Sequence, residues 1–202
     1  MKVNNIFYSI QGEGRNIGKP SLFIRFSGCN LKCKFCDTSH QTYKEMTVEE
    51  IVEKVKGHKN IVLTGGEPLL QQDINKLIQQ INKLKIPIEI ETNGTIYDPT
   101  LINKVHFNVS PKLSNAGYKP IETILKKYNN KCDFKFVIDN KKSLIEAIEL
   151  IEEYKLKNII FMPEGIDKKI IERRVKLLLN EVKKRYPDCR VLPRLHIQYG
   201  LR

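Results

Sequence analysis

From Ser21 onward, short β-branched or aromatic runs alternate with longer stretches of helical periodicity. That alternation is the signature of repeated βαβ units around a largely parallel sheet. The predicted strands cover residues 22–26, 61–64, 86–91, 106–109, 134–138, 159–162 and 191–195, and the predicted helices 48–56, 69–84, 121–128, 143–154 and 168–185. Thr47 is placed to cap the first helix, with Glu50 three residues on reaching back as a capping box. A complete eight-unit barrel takes about 250 residues. A chain of 202 residues with six or seven such strands is therefore expected to be an α/β protein built as an incomplete, TIM-like barrel, with a doubly wound sheet as the competing architecture. No linker, repeat or low-complexity segment divides it, so residues 1–202 are read as one domain. In either architecture, loops leaving the C-terminal ends of strands form the active site.

The most distinctive loop follows the first of these strands. Cys29, Cys33 and Cys36 are spaced Cys-x3-Cys-x2-Cys, with no fourth cysteine nearby. Soft thiolates suit iron–sulfur clusters, and ordinary electron-transfer clusters take four of them. A tight group of three implies a 4Fe-4S cluster with one iron left for an external ligand. Two alternatives stay open on spacing alone: a three-cysteine zinc site completed by His40, or a four-cysteine cluster completed by Cys132 or Cys189.

Composition narrows the setting. Five cysteines, three of them clustered, fit thiolates that bind metal in a reducing compartment better than a secreted disulfide framework. The N-terminal Met1-Lys2-Val3-Asn4-Asn5 has no secretory signal, and no apolar run approaches the roughly 20 residues that span a bilayer. A cytoplasmic protein without a membrane partner is expected. The net charge of +12 could attract a polyanion, but the lysines are spread along helix faces among glutamates. They read as a solvated surface, not as a nucleic-acid site.

The cysteine loop, with Phe35 before its last cysteine, resembles the radical S-adenosylmethionine superfamily. Gly65-Gly66-Glu67-Pro68, after the strand 61–64, strengthens the likeness. The resemblance implies that S-adenosylmethionine chelates the open iron and is cleaved reductively to start radical chemistry. It implies Phe35, Gly65, Gly66 and Glu67 as cofactor contacts, with Glu67 accepting from the methionine ammonium. Within the superfamily, the segments Phe7 to Gly14, Arg25, Cys36-Asp37-Thr38, Glu91 to Thr95, Val109 to Lys112 and Pro193 to His196 resemble the 7-carboxy-7-deazaguanine synthase family.

That family converts 6-carboxy-5,6,7,8-tetrahydropterin to 7-carboxy-7-deazaguanine with loss of ammonia, on the route to queuosine and related deazapurines. The resemblance implies a pterin site of Ile10, Gln11, Gly12, Arg25, Thr92 and His196. Gly94, Ser110, Pro111, Lys112, Met162, Pro163 and Glu164 would meet S-adenosylmethionine, and Thr38 a magnesium ion. It further implies a one-electron reductant such as flavodoxin or ferredoxin, and a homodimer. The chemistry agrees: Arg25 offers a planar fork for a carboxylate, and the Gln11 amide both donates and accepts. His196 is expected at the end of the last strand. The rival functions are a small activase that makes a glycyl radical on a protein, and a non-enzymatic iron–sulfur or zinc module that binds RNA.

Overall fold

The computed structural model describes residues 1–39, 42–120, 122–128, 132–183, 186 and 188–201. Among these, nine strands form one open sheet: β1 (Lys2–Ile10), β2 (Pro20–Phe26), β3 (Lys44–Glu45), β4 (Ile61–Gly65), β5 (Ile88–Thr92), β6 (His106–Val109), β7 (Cys132–Ile138), β8 (Ile159–Pro163) and β9 (Arg190–Val191), in the order β3-β1-β2-β4-β5-β6-β7-β8-β9. From β2 to β9 every neighbouring pair is parallel, whereas β1 runs antiparallel to β2 and to β3. The sheet is that of a partial TIM barrel, as the strand–helix alternation predicts.

Among the described residues six α-helices accompany it: α1 (Val48–Val55), α2 (Ile74–Lys83), α3 (Glu122–Tyr128), α4 (Lys141–Tyr154), α5 (Lys168–Val182) and α6 (Leu195–Gln198). The capping box of α1 is present, with Glu50 N donating to Thr47 Oγ1 and Thr47 N to Glu50 Oε2. Helix α2 buries Ile74, Leu77, Ile78 and Ile81, a single stripe spaced three and four residues apart. The stretch expected as one helix over 69–84 is instead a 3₁₀ turn, Pro68–Leu70, followed by α2. The first residue of the helix expected from 121 and the last two of that ending at 185 lie outside the described residues.

Successive side chains of a strand point to opposite faces. On β5 to β7 one face carries Ile88, Ile90, Phe107, Val109, Phe134 and Phe136, which join the apolar core. The other face carries the buried Glu89, Asn108, Asp133 and Lys135. Asp133 is held by His106, Arg15 and Arg190, each at 3.2 Å. A buried charge costs several kcal/mol unless it is paired, and β6, β9 and the loop after β1 supply the partners of Asp133.

Two expectations at the ends of the chain are corrected. The segment Lys2–Ile10, which lies before the first predicted strand, is itself a long strand, and the two-residue β3 pairs outside it at the sheet edge. The strand expected over 191–195 is only Arg190–Val191. His196 is therefore not at a strand end but on the short helix α6.

Candidate active site

Loops at the C-terminal ends of β2, β4, β5, β6 and β8 converge on one cavity, with Gln11, Gly12 and Glu13 from the loop after β1 and Arg194 and His196 from the C-terminal segment. Cys29, Cys33, Phe35, Cys36 and Thr38 line it from the β2 loop. None of the three cysteines is in a disulfide, and burial pushes the thiols of Cys29 and Cys33 upward. Among the described residues, no three His, Cys, Asp or Glu side chains sit close enough to hold a single metal ion. A cluster has a different requirement, since its ligands bind separate irons and are spread around it. Cys132 is buried at the start of β7 and Cys189 precedes β9. In a parallel sheet those positions are at the end opposite the cysteine loop, so neither completes a four-cysteine site. His40 lies outside the described residues.

The Gly-Gly-Glu turn after β4 is built for loop packing. Gly66 N donates to Phe26 O and Glu67 N to Gly28 O. A Cβ on Gly66 would lie 2.0 Å from Gly28 O, and one on Gly65 would lie 2.2 Å from Phe26 O. The cysteine loop thus sits against backbone that no side chain could occupy. Gly65 and Gly66 line the cavity, but Glu67 does not. Its carboxylate is fully buried and accepts from Thr92 Oγ1 (2.9 Å), Asn93 N (2.8 Å) and Leu69 N (3.1 Å). In this structure Glu67 joins the β4 and β5 loops; burial raises its pKa although these donors oppose the rise.

Of the remaining expected cofactor contacts, Ser110, Lys112 and Glu164 line the cavity, whereas Gly94, Pro111, Met162 and Pro163 do not. Gly94 has φ 75° and packs on Val109, which a Cβ would approach to 2.7 Å. Lys112 Nζ donates to Ser110 Oγ at 2.7 Å, and burial pushes its ammonium downward. Glu164 is already paired with Arg174.

All six expected substrate contacts, Ile10, Gln11, Gly12, Arg25, Thr92 and His196, line the cavity. Gln11, however, is occupied by the protein: Nε2 donates to Glu89 (2.6 Å) and Glu91 (3.1 Å), and Oε1 accepts from Glu13 N (3.1 Å). It positions Glu91, which lines the cavity, as it accepts a second bond from Thr64 at 2.7 Å. Arg25 differs, since its buried Nε has no hydrogen-bond partner. Burial pushes the His196 imidazole toward its neutral form. Thr38 Oγ1 donates to Asp37 Oδ1 at 3.3 Å.

Reading the sequence missed Glu13, Asp37, Glu91, Asn93, Lys135 and Arg194, all of which line the cavity. Five of them fall inside the recognised segments, beside the residues chosen. Lys135 left no signal. Glu13 binds both Lys135 and Arg194. Burial alone would raise its pKa, but these two cations hold it well below the usual carboxylate range.

Fold, cysteine loop and strand-end cavity together define a radical S-adenosylmethionine protein, and comparison with known proteins agrees. Residues 23–178 match the Radical SAM superfamily. Proteins named 7-carboxy-7-deazaguanine synthase are similar over most of the chain. That from Haemophilus influenzae is 37% identical, covering 89% of this chain and 83% of its own. That from Aquifex aeolicus is 30% identical, covering 99% and 94%. The match to the Halobacterium salinarum synthase, 42% identical, spans 57% of this chain and 47% of that protein. The crystal structure of QueE from Escherichia coli superposes with a TM-score of 0.78 at 22% identity, covering 96% of this chain and 94% of that one, and shows the same fold. The chain belongs to the radical S-adenosylmethionine superfamily and, within it, to the 7-carboxy-7-deazaguanine synthase family.

Proposed function

We propose that the chain converts 6-carboxy-5,6,7,8-tetrahydropterin to 7-carboxy-7-deazaguanine with loss of ammonia, in deazapurine biosynthesis. The observation that carries this reading is Arg25. Its guanidinium faces the cavity that the three cysteines line, and its buried Nε is unpartnered. A substrate carboxylate would satisfy it with a charge-assisted bond. Phe7, over which the guanidinium sits at 5.3 Å, stacks on Phe23 at 5.0 Å, and both rings line the cavity beside Arg25 and help hold it in place. Family membership supplies the rest of the support; neither the glycyl-radical activase nor the RNA-binding module is favoured.

Cys29, Cys33 and Cys36 would hold the 4Fe-4S cluster. When bound, the cluster and S-adenosylmethionine supply one-electron reductive chemistry that starts a substrate radical. The backbone of Gly65 and Gly66 would receive the methionine end of the cofactor, with Ser110 and Lys112 beside it. Arg25 would hold the substrate carboxylate, Gln11 would keep Glu91 aimed into the cavity, and His196 would present a neutral imidazole. Thr38, next to Asp37, would offer oxygen to a magnesium ion, which prefers hard ligands and keeps several waters. A flavodoxin or ferredoxin as reductant, a homodimer, a single domain over residues 1–202 and a cytoplasmic location complete the reading. No helix among the described residues is long and apolar enough to cross a membrane.

Ammonia release tests it. Anaerobically reconstituted protein given reductant, S-adenosylmethionine and the carboxy-tetrahydropterin should release ammonia only with all components present. Cofactor cleavage that yields no ammonia from this pterin would overturn the proposal.

A further inference from the structure

The C-terminal segment leaves β9 at one edge of the sheet, yet its contacts reach loops near the other edge. Leu195 N donates to Gly12 O at 3.0 Å. Arg194 does more: its Nε donates to Glu13 Oε1 at 3.0 Å, its Nη1 to Gly165 O at 3.2 Å, and its Nη2 to the carboxylate of Asp37. Glu13 is buried and also bound by Lys135, so it is a fixed anchor. The Asp37 side chain is 43% exposed and adjoins Cys36. One planar guanidinium thus joins the buried anchor to the loop that carries the cysteines. Among the described residues the sheet offers no closure of its own there, because β9 pairs only with β8 and is two residues long.

We propose that Arg194 is a positioning residue for the cysteine loop: it fastens Asp37, and with it Cys36, to Glu13, and so closes the open side of the sheet with the C-terminal segment. The proposal rests on the cluster role of Cys36 and not on the identity of the substrate. The planar fork aims Nε, Nη1 and Nη2 at three separated acceptors at once, whereas a lysine, a single point charge on a flexible stem, holds them less firmly.

Amide hydrogen exchange on the cluster-free protein tests this without turnover. The Lys34 and Cys36 amides donate to Ala116 O and Cys33 O, at 3.3 and 3.2 Å, and report on the cysteine loop. The Gln11 amide, bonded to Lys19 O at 2.8 Å, reports on the anchor loop. Arg194→Lys and Asp37→Asn should each speed exchange in the cysteine loop about tenfold, the loss of one charge-assisted bond, and leave Gln11 protected. The double variant should add little, because both changes remove the same contact. After reconstitution, both variants should show an altered electron paramagnetic resonance signal of the reduced cluster. Wild-type exchange at Lys34 and Cys36 in both variants would overturn the proposal. Wild-type protein that takes up no iron–sulfur cluster would instead overturn the cluster assignment on which it rests.

Discussion

Gly12 and His196 touch so closely that no side chain fits between them: a Cβ on Gly12 would lie 2.0 Å from His196 Nδ1 and 2.9 Å from its backbone nitrogen. Gly12→Ala should therefore displace the C-terminal segment and cost about 1–3 kcal/mol, the usual penalty of overpacking. His196→Ala removes the nearest of the clashing atoms. Thermal unfolding of the cluster-free proteins should show the double variant more stable than Gly12→Ala alone, and a double variant no better than the single one would place the clash elsewhere.

Arg25→Ala should weaken binding of the carboxy-tetrahydropterin roughly 10- to 100-fold, the equivalent of a lost hydrogen bond between charged groups. Arg25→Lys should recover part of it, since the charge remains but the fork does not. Calorimetric titration checks this on folded protein. Unchanged pterin affinity with impaired cluster loading would make Arg25 a structural residue.

Alanine at Cys29, Cys33 or Cys36 should abolish reductive cleavage of S-adenosylmethionine, whereas Cys132→Ala and Cys189→Ala should retain it, with Cys132→Ala losing some stability because its thiol is buried and donates to Tyr128 O at 3.1 Å. Product analysis of the five variants by chromatography settles which thiols are needed. Cleavage in any of the first three would remove that cysteine from the cluster.

Much of this arrangement is legible in the sequence, and the failures have physical causes. Strands such as Ile61–Gly65, which opens Ile-Val-Leu, and Ile159–Pro163 are covered on both sides and read as largely apolar runs. The strand Lys2–Ile10 is mostly half-buried and carries Asn4 and Asn5, so its antiparallel pairing with β2 is set by tertiary contact, not by its own pattern. Charges at Glu89, Glu91, Asp133 and Lys135 suggest solvent in a strand, yet here they face inward and find partners. The cysteine triad and the Gly-Gly turn marked the cavity because both follow strands. Gln11 and Glu67 were assigned to ligands because pattern does not reveal that their polar atoms are already spent on the protein.

Glu89 should make stability pH-dependent near neutrality. Burial and the neighbouring Glu91 raise its pKa to about 7, against the bonds it accepts from Asn16 and Gln11. An unfolded glutamate releases its proton near pH 4.3. Between that value and about 7 the folded chain holds the extra proton, so this group makes stability fall as pH rises through that window and adds no slope above it. Urea unfolding of the cluster-free protein across that range should show the fall, and Glu89→Gln should remove its share. Equal slopes in the two proteins would mean that Glu89 is ionised throughout.

The most direct measurement is the mass of the product formed when reconstituted protein, under strict anaerobiosis, meets reductant, magnesium, S-adenosylmethionine and 6-carboxy-5,6,7,8-tetrahydropterin. The expected product is 7-carboxy-7-deazaguanine, formed over many turnovers per cofactor molecule and in lower yield by Arg25→Ala when the pterin is limiting. Recovery of unaltered pterin from protein that loads its cluster and cleaves S-adenosylmethionine would contradict the proposed reaction.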